Sequence, residues 1–415
     1  MSDLFGELFV PDSVREAVSD RAWVGAMLEF EAALAAAEAD AGVIPSEAAA
    51  AIADACDPGR FDPAELGCAA RASGNPAAAL VKALTEAVEG DAAGYVHWGA
   101  TSQDVMDSAA MLVARRALGV LDDELAGVAA ACARLADEHR GTLMAGRTLL
   151  QQALPTTFGL KAAGWLTGVV DARRALAAVP LASELGGAAS TLASLGDDGL
   201  TVLAGVADRL GLEEPVLPWH ASRARVAELG AALAIAAGAL EKIARDVILL
   251  AQTELGEVAE PAGGERGGSS TLPHKRNPVG SALTVACAVR VRAEASILIE
   301  AMPQEHERAP GNWQAEWEAL SRALAYTGGA AAAIREVVDG LEVRPERMRE
   351  NMTGLVMAEA ASMELADEVG RAEAQKRVKE KIERGESLGD LDPAGYLGSA
   401  DAFVDRALER YRAES

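Results

Sequence analysis

The run Val226–Leu250 reads VAELGAALAIAAGALEKIARDVILL. It sets Val226, Leu229, Leu233, Ala236, Leu240, Ile243, Val247 and Leu250 at alternating steps of three and four residues. That is a heptad seam, which lines one face of a long helix. A strand needs an apolar residue at every second position, and no such alternation persists in the chain. Upstream, Met111, Ala114, Leu118, Leu121, Leu125, Val128, Cys132 and Leu135 repeat the same spacing. The helix around the quoted run is expected from about Ala221 to Val258, about 55 Å at ~1.5 Å per residue. Further apolar helices are expected over Thr156 to about Ala178 and Pro278 to about Met302.

These seams predict an all-α fold of three helical domains built on a central long-helix bundle. Residues 1–106 read as short helices between turns, with starts such as Ser19-Asp20 and Asn75-Pro76. Residues 107–342 read as the bundle, including a glycine-rich loop over 261–281. Residues 343–415 read as a small, charge-dense helical domain. Half of the 415 residues are hydrophobic but only 4% are aromatic, which suits close helix packing better than sheets.

The formal net charge is −25, so nucleic acid and anionic membrane surfaces are excluded as partners. An anionic substrate would need local cations set against that field. Cys56, Cys68, Cys132 and Cys287 are scattered without a CxxC pair and read as buried free thiols of a reducing compartment. No apolar run approaches the ~20 residues of a membrane span, and MSDLFGELFV has no basic leader, so a cytoplasmic protein is expected. The five histidines are isolated and no HxxxH pair occurs, so no metal is expected. No phosphate-binding glycine fingerprint follows a strand, so no cofactor is expected.

Three polar islands interrupt the helices. The first is His97-Trp98-Gly99-Ala100-Thr101-Ser102-Gln103-Asp104. Thr101 with Asp104 has the form of a capping box, which accounts for both without any function. The hydroxyls of Thr101 and Ser102 beside free helix N–H groups also form a nest for a carboxylate. The second is Gly146-Arg147-Thr148-Leu149-Leu150-Gln151-Gln152, in which Arg147, Thr148 and Gln151 are donors to an anion, or else a polar break between helices. The third, Pro261–Ser281, reads PAGGERGGSSTLPHKRNPVGS. Asn277 as N-cap and Pro278 at the first helical position explain its end. They leave Ser269, Ser270 and Lys275 unexplained. Trp219 reads as packing, and Arg223 beside it as a residue facing an anion.

GSSTLPHKRNP, Gly268–Pro278, closely resembles the signature loop GSSxMPxKxNP of the fumarase/aspartase superfamily, with Leu272 where methionine is usual. HWGATSQD and GRTLLQQA resemble its two other motif regions, in the same order. IARDVILLAQTELGEVAEP and MPQEHERAPGNWQAEW resemble the branch of bacterial 3-carboxy-cis,cis-muconate cycloisomerases. The resemblance implies a homotetramer whose active sites take one motif from each of three subunits, acting on a small polycarboxylate. It implies Ser269 as the base toward carbon and Lys275 as the group that activates it. It implies Asn277, with Lys275, as a ligand of the substrate carboxylate, and Thr101 and Ser102 as the hydroxyls that hold and polarise it; His97, Arg147, Thr148 and Gln151 are read as further substrate ligands from their place in the polar islands.

Two departures bear on the reaction. Many superfamily lyases carry THxQ in the second region and a glutamate five residues after the signature asparagine, which orients that histidine. Here those positions are Leu149 and Ala282. The histidine's commonly assigned role is to protonate a poor leaving group such as an amine or hydroxide. A carboxylate, with a conjugate acid of pKa ~4, leaves without that help. This favours lactone formation and opening by an internal carboxylate. The alternatives are elimination of another weakly basic anion, such as nitrite from nitrosuccinate, then an adenylosuccinate-type lyase, and last a non-catalytic helical scaffold.

Overall fold

The computed structural model describes residues 3–261 and 275–414. Ser269 and Ser270 therefore lie outside the described residues. The described residues are mostly helical. After α1 (Asp3–Phe9) and α2 (Asp12–Ala17) comes α3 (Asp20–Asp40), whose N-cap Ser19 accepts from the Ala22 N–H. Then follow α4 (Ser46–Ala55), α5 (Pro63–Ala69) and α6 (Pro76–Ala87). Asp62 and Asn75 cap the last two, each followed by a proline whose missing N–H costs nothing there. The expected start of α6 thus holds to the residue, and that of α3 to within one.

The long helix α7 (Ser102–Glu138) carries the first seam; all its members are buried except Leu118, which is half-buried. A hairpin, β1 (Leu143–Thr148) and β2 (Gln151–Thr157), leads into α8 (Phe158–Ala177) and then α9 (Gly199–Leu210). The second seam lies on α10 (Ala224–Ala251), and all eight of its members are buried. This helix spans 28 residues, about 42 Å at ~1.5 Å per residue, and is shorter than expected. The chain turns back where the Glu257 N–H bonds the Leu250 carbonyl and Gly256 takes φ +59°. Beyond the turn, β3 (Val258–Ala259) pairs antiparallel with β4 (Glu342–Val343).

Between those strands run α11 (Val279–Glu300) and α12 (Asn312–Asp339). The chain ends with α13 (Pro345–Asn351), α14 (Ala358–Val369), α15 (Arg371–Glu383) and α16 (Ala400–Glu414). The sequence reading missed the β1–β2 hairpin. Its strands are short, and their burial does not alternate cleanly enough for a period of two to stand out. Cys68 is exposed and Cys56 half-buried, against the expectation that all four thiols are buried. No described helix is long and apolar enough to cross a membrane.

The chain forms two compact units. One comprises Met1–Asp123, Arg174–Ala237 and Cys287–Ala330; the other comprises Glu124–Arg173, Gly238–Ala286 and Ala331–Ser415. In the first, α3 packs on α4 and α9. A Cβ at Gly230 would lie 3.0 Å from Leu298 Cδ1 and 3.6 Å from Ala295 Cα, so glycine lets α10 approach α11 closely. In the second unit, Trp165 Nε1 on α8 donates to Asp246 on α10 at 2.8 Å. Arg134 on α7 donates to the C-terminal carbonyl of Asp339 on α12 at 2.8 Å. Ala145 on the hairpin packs with Val356, Met357 and Ala360.

One core residue of the first unit is out of keeping. Glu38 on α3 is fully buried, and neither carboxylate oxygen has a partner. Burial, helped by the charge of Glu31, pushes its pKa up to about 8. The unfolded side chain ionises near 4.5, so the native state holds a proton that the unfolded chain has released. Stability from this group is therefore lost as pH rises from about 4.5 to about 8. Glu38→Gln is expected to match the parent in urea denaturation at pH 5. At pH 8 it should exceed the parent by on the order of 2–4 kcal/mol.

Candidate active site

In the first unit, the turn before α7 holds the first motif. His97 and Gly99 both adopt left-handed φ, +60° and +70°. A Cβ on Gly99 would also lie 2.6 Å from Leu195 Cδ2, so no other residue fits there without movement. His97 Nδ1 lies 2.7 Å from Oε1 of Glu31, a buried residue of α3. Burial works against protonation of this imidazole, but the Glu31 charge and hydrogen bond, with the charge of Asp104, outweigh it and raise its pKa. Thr101 donates its N–H to Asp104 Oδ2 at 2.8 Å, which is the reciprocal half of the expected capping box. Thr101 and Ser102 are half-buried at the start of α7.

Asp104 is a keystone. Its Oδ1 accepts from the Gly186 N–H at 2.9 Å and contacts His220 Nε2 at 2.6 Å. Its Oδ2 also accepts from the Gly187 N–H at 3.0 Å. Buried Glu184 accepts from the Trp219 N–H at 2.6 Å through Oε2, while Oε1 has no hydrogen-bond partner and lies 3.6 Å from His220 Nε2. Burial and the neighbouring Asp104 hold its carboxyl well above the usual range. Asp104, Glu184 and His220 form the one described group with three metal-ligand atoms within 4.8 Å of one another. The Asp104 oxygens already meet four partners, so the group reads as an anchor for the motif.

Arg223 corrects the sequence reading. It is 3% exposed and faces no solvent anion. Its Nη1 donates to Asp107 Oδ2 at 2.6 Å, and its Nε donates to Glu316 Oε1 at 3.0 Å. Trp219 is buried, as expected, and its Nε1 donates to the Ser183 carbonyl at 2.8 Å.

In the second unit, the second motif is the tip of the β1–β2 hairpin, with Thr148 paired to Gln151. Leu149 and Leu150 form the two-residue turn at φ +50° and +66°. Two left-handed residues define the turn favoured by Asn-Gly, so leucine is strained at both positions. Leu149 is 97% exposed and Leu150 71%. Thr148 and Gln151 are also exposed. Arg147 is committed elsewhere: its Nη1 and Nη2 reach the two oxygens of fully buried Glu257 at 3.0 and 2.6 Å. Asn351 Nδ2 supports the same carboxylate at 3.0 Å. This bidentate pair holds the hairpin one register pair below its tip, so the Arg147 fork does not project toward a ligand.

Of the signature loop, the described part begins at Lys275, which is exposed, followed by half-buried Asn277. Arg276 is bidentate to Glu342, at 2.9 and 3.0 Å, and also donates to the Glu260 carbonyl at 2.6 Å. The start of α11 is capped by Glu260, not by Asn277 as expected. Its carboxylate accepts from the Gly280 N–H at 3.0 Å, and from the Ser281 N–H and hydroxyl at 2.8 and 2.6 Å. Ala282 is exposed one turn into the helix.

The structure thus gathers His97, Thr101 and Ser102 at one helix start. Thr148 and Gln151 lie together at one hairpin tip, and Lys275 and Asn277 at the stem of α11. Two residues escaped the sequence reading. Glu31 lies on an alanine-rich helix 66 positions before His97, and no local pattern links them. Arg308 donates from Nε to Gln103 Oε1 at 3.0 Å, and its buried Nη2 has no partner. Its place inside MPQEHERAPGNWQAEW was the only available signal.

Residues 10–293 match a family described as lyase. A 3-carboxy-cis,cis-muconate cycloisomerase of Bradyrhizobium diazoefficiens is 45% identical, over 99% of this chain and 98% of the relative. A nitrosuccinate lyase of Streptomyces davaonensis is also 45% identical, over 95% of this chain and 92% of the relative. The crystal structure of 3-carboxy-cis,cis-muconate lactonizing enzyme from Pseudomonas putida matches with a TM-score of 0.93 at 39% identity, over 100% of both chains. With the all-α fold and the three ordered motifs, these matches show that the chain is an enzyme of the lyase family, within the fumarase/aspartase superfamily.

Proposed function

We propose that this enzyme interconverts 3-carboxy-cis,cis-muconate and 4-carboxymuconolactone, a step of protocatechuate degradation in the β-ketoadipate pathway. The observation that carries the choice within the superfamily is the hairpin tip. An exposed, strained leucine, Leu149, stands where other members carry an acid histidine, and Ala282 replaces that histidine's orienting glutamate. Such a tip offers no proton to a leaving group, and an internal carboxylate needs none.

In the opening direction, Ser269 takes the proton from the carbon next to a carboxylate, and the ring carboxylate departs as an anion. In the lactonising direction the carboxylate adds to the diene, and Ser269 returns a proton to carbon. A serine alkoxide requires nearby positive charge and donors, which Lys275 supplies. Asn277, Thr101 and Ser102 hold the carboxylate on which charge builds, and fixed donors there favour the transition state over the ground state. His97, Thr148 and Gln151 bind the remaining anionic groups. Arg308, with an unpartnered buried Nη2, supplements them. Arg147 acts through the hairpin it braces. The working form is a homotetramer with sites shared between subunits, in the cytoplasm, organised as helical domains 1–106, 107–342 and 343–415.

The second reading, elimination of nitrite from nitrosuccinate, is favoured by the equally identical lyase relative. It too expels a weak base without an acid. An ultraviolet assay separates the two. 3-Carboxy-cis,cis-muconate, nitrosuccinate and adenylosuccinate are offered in parallel, and the diene, fumarate and purine signals are followed. Loss of the diene signal is expected. Turnover of nitrosuccinate alone, or of adenylosuccinate alone, overturns the assignment.

A further inference from the structure

A tricarboxylate entering a chain of net charge −25 needs local cations, yet the structure has committed several of them. Arg147 is held by Glu257, Arg223 by Asp107 and Glu316, and Arg276 by Glu342. His97 differs from these. Its ring lies in the first motif with a side chain 16% exposed, while its carboxylate partner Glu31 is wholly buried. The 2.7 Å contact to Glu31 occupies Nδ1, so Nε2 is the nitrogen left for a ligand.

The second oxygen of Glu31, Oε2, is buried without a hydrogen-bond partner. The charged groups acting on His97 are Glu31 on α3 and Asp104 on α7.

We propose that Glu31 is a positioning residue for His97, holding the imidazole by Nδ1 so that Nε2–H is a fixed donor to one carboxylate of the substrate. This rests on the polycarboxylate reading above. It deepens that reading by adding a residue that no motif contains.

The test uses two readouts, one of which needs no substrate. The first is the rate at which diethyl pyrocarbonate modifies the His97 peptide, followed by mass spectrometry across pH, since only the neutral ring reacts. The midpoint in the parent enzyme is expected above that of an ordinary histidine, ~6.5. In Glu31→Gln it is expected to fall. The second is a double-mutant cycle on turnover of 3-carboxy-cis,cis-muconate. Glu31→Gln should raise KM about tenfold or more with little change in kcat. It should add nothing in a His97→Asn background. An unraised midpoint in the parent enzyme overturns the proposal, even if Glu31→Gln fails to fold. Equal losses in both backgrounds overturn it too. If the parent turns over none of the offered substrates, the functional reading fails, and the modification midpoint still decides the Glu31–His97 pair.

Discussion

Ser269→Ala is expected to lower kcat by about 10³-fold or more, with the fold and the oligomer unchanged. The serine is proposed to carry the proton to and from carbon in both directions, and no neighbouring methyl group can do so. The binding groups remain, so KM should move little, which separates loss of a base from loss of a ligand. Solvent deuterium should stop entering the carbon next to the carboxylate. Ser270→Ala is the control. If it abolishes turnover while Ser269→Ala retains it, the adjacent hydroxyl is the base. Lys275→Ala should resemble Ser269→Ala in kcat but also raise KM, since the ammonium is proposed both to favour the alkoxide and to meet the substrate carboxylate.

Arg223→Met should be the most damaging structural change, costing about 3–5 kcal/mol. The guanidinium is buried between Asp107 and Glu316, both also buried. Removing it leaves two carboxylates without their counter-charge in the first unit. Trp313 Nε1 still donates to Asp107 at 3.2 Å, and Gln103 Nε2 at 3.1 Å, but neither carries charge. The loss should depend on pH in a definite sense. Burial already pushes Glu316 up to about 7 in the parent enzyme, although Arg223 opposes it. Without Arg223 the carboxyl rises further, so the native state holds its proton over a wider range than the unfolded chain. The deficit should be smallest near pH 5 and grow through neutrality. Chemical denaturation at pH 5 and pH 8 measures this; a deficit independent of pH would mean the loss is one of packing alone.

How much of this was legible beforehand depends on the range of the interaction. Helix starts at Ser19 and Asn75 were readable because a cap acts within three residues. The α10 seam was readable because helical spacing is itself a short-range geometry. Its length was overestimated, because the turn at Gly256 and Glu257 is set by a fold-back bond that leaves little mark on composition. The hairpin at Leu143–Thr157 was missed for the opposite reason. Its turn uses leucines where glycine and asparagine would have announced it.

The cations show the division most clearly. Arg147, Arg223 and Arg276 look alike in sequence, as positive charges near polar motifs. Their partners Glu257, Asp107, Glu316 and Glu342 lie 66 to 116 positions away or on other helices, and a charge becomes structural or available only when its partner is placed. Asn277 lost its expected capping role to Glu260 in the same way.

By itself the sequence determined the helical class, the three motifs in order, the superfamily they resemble and the absence of the acid histidine at Leu149. Each of these is a matter of residue type and local spacing. Only the tertiary structure decided which cations are spent on buried carboxylates, that Leu149 sits strained and exposed at a turn, and that Glu31 stands behind His97. Those are contacts between distant segments, set by the packing of the fold and carried by no local pattern.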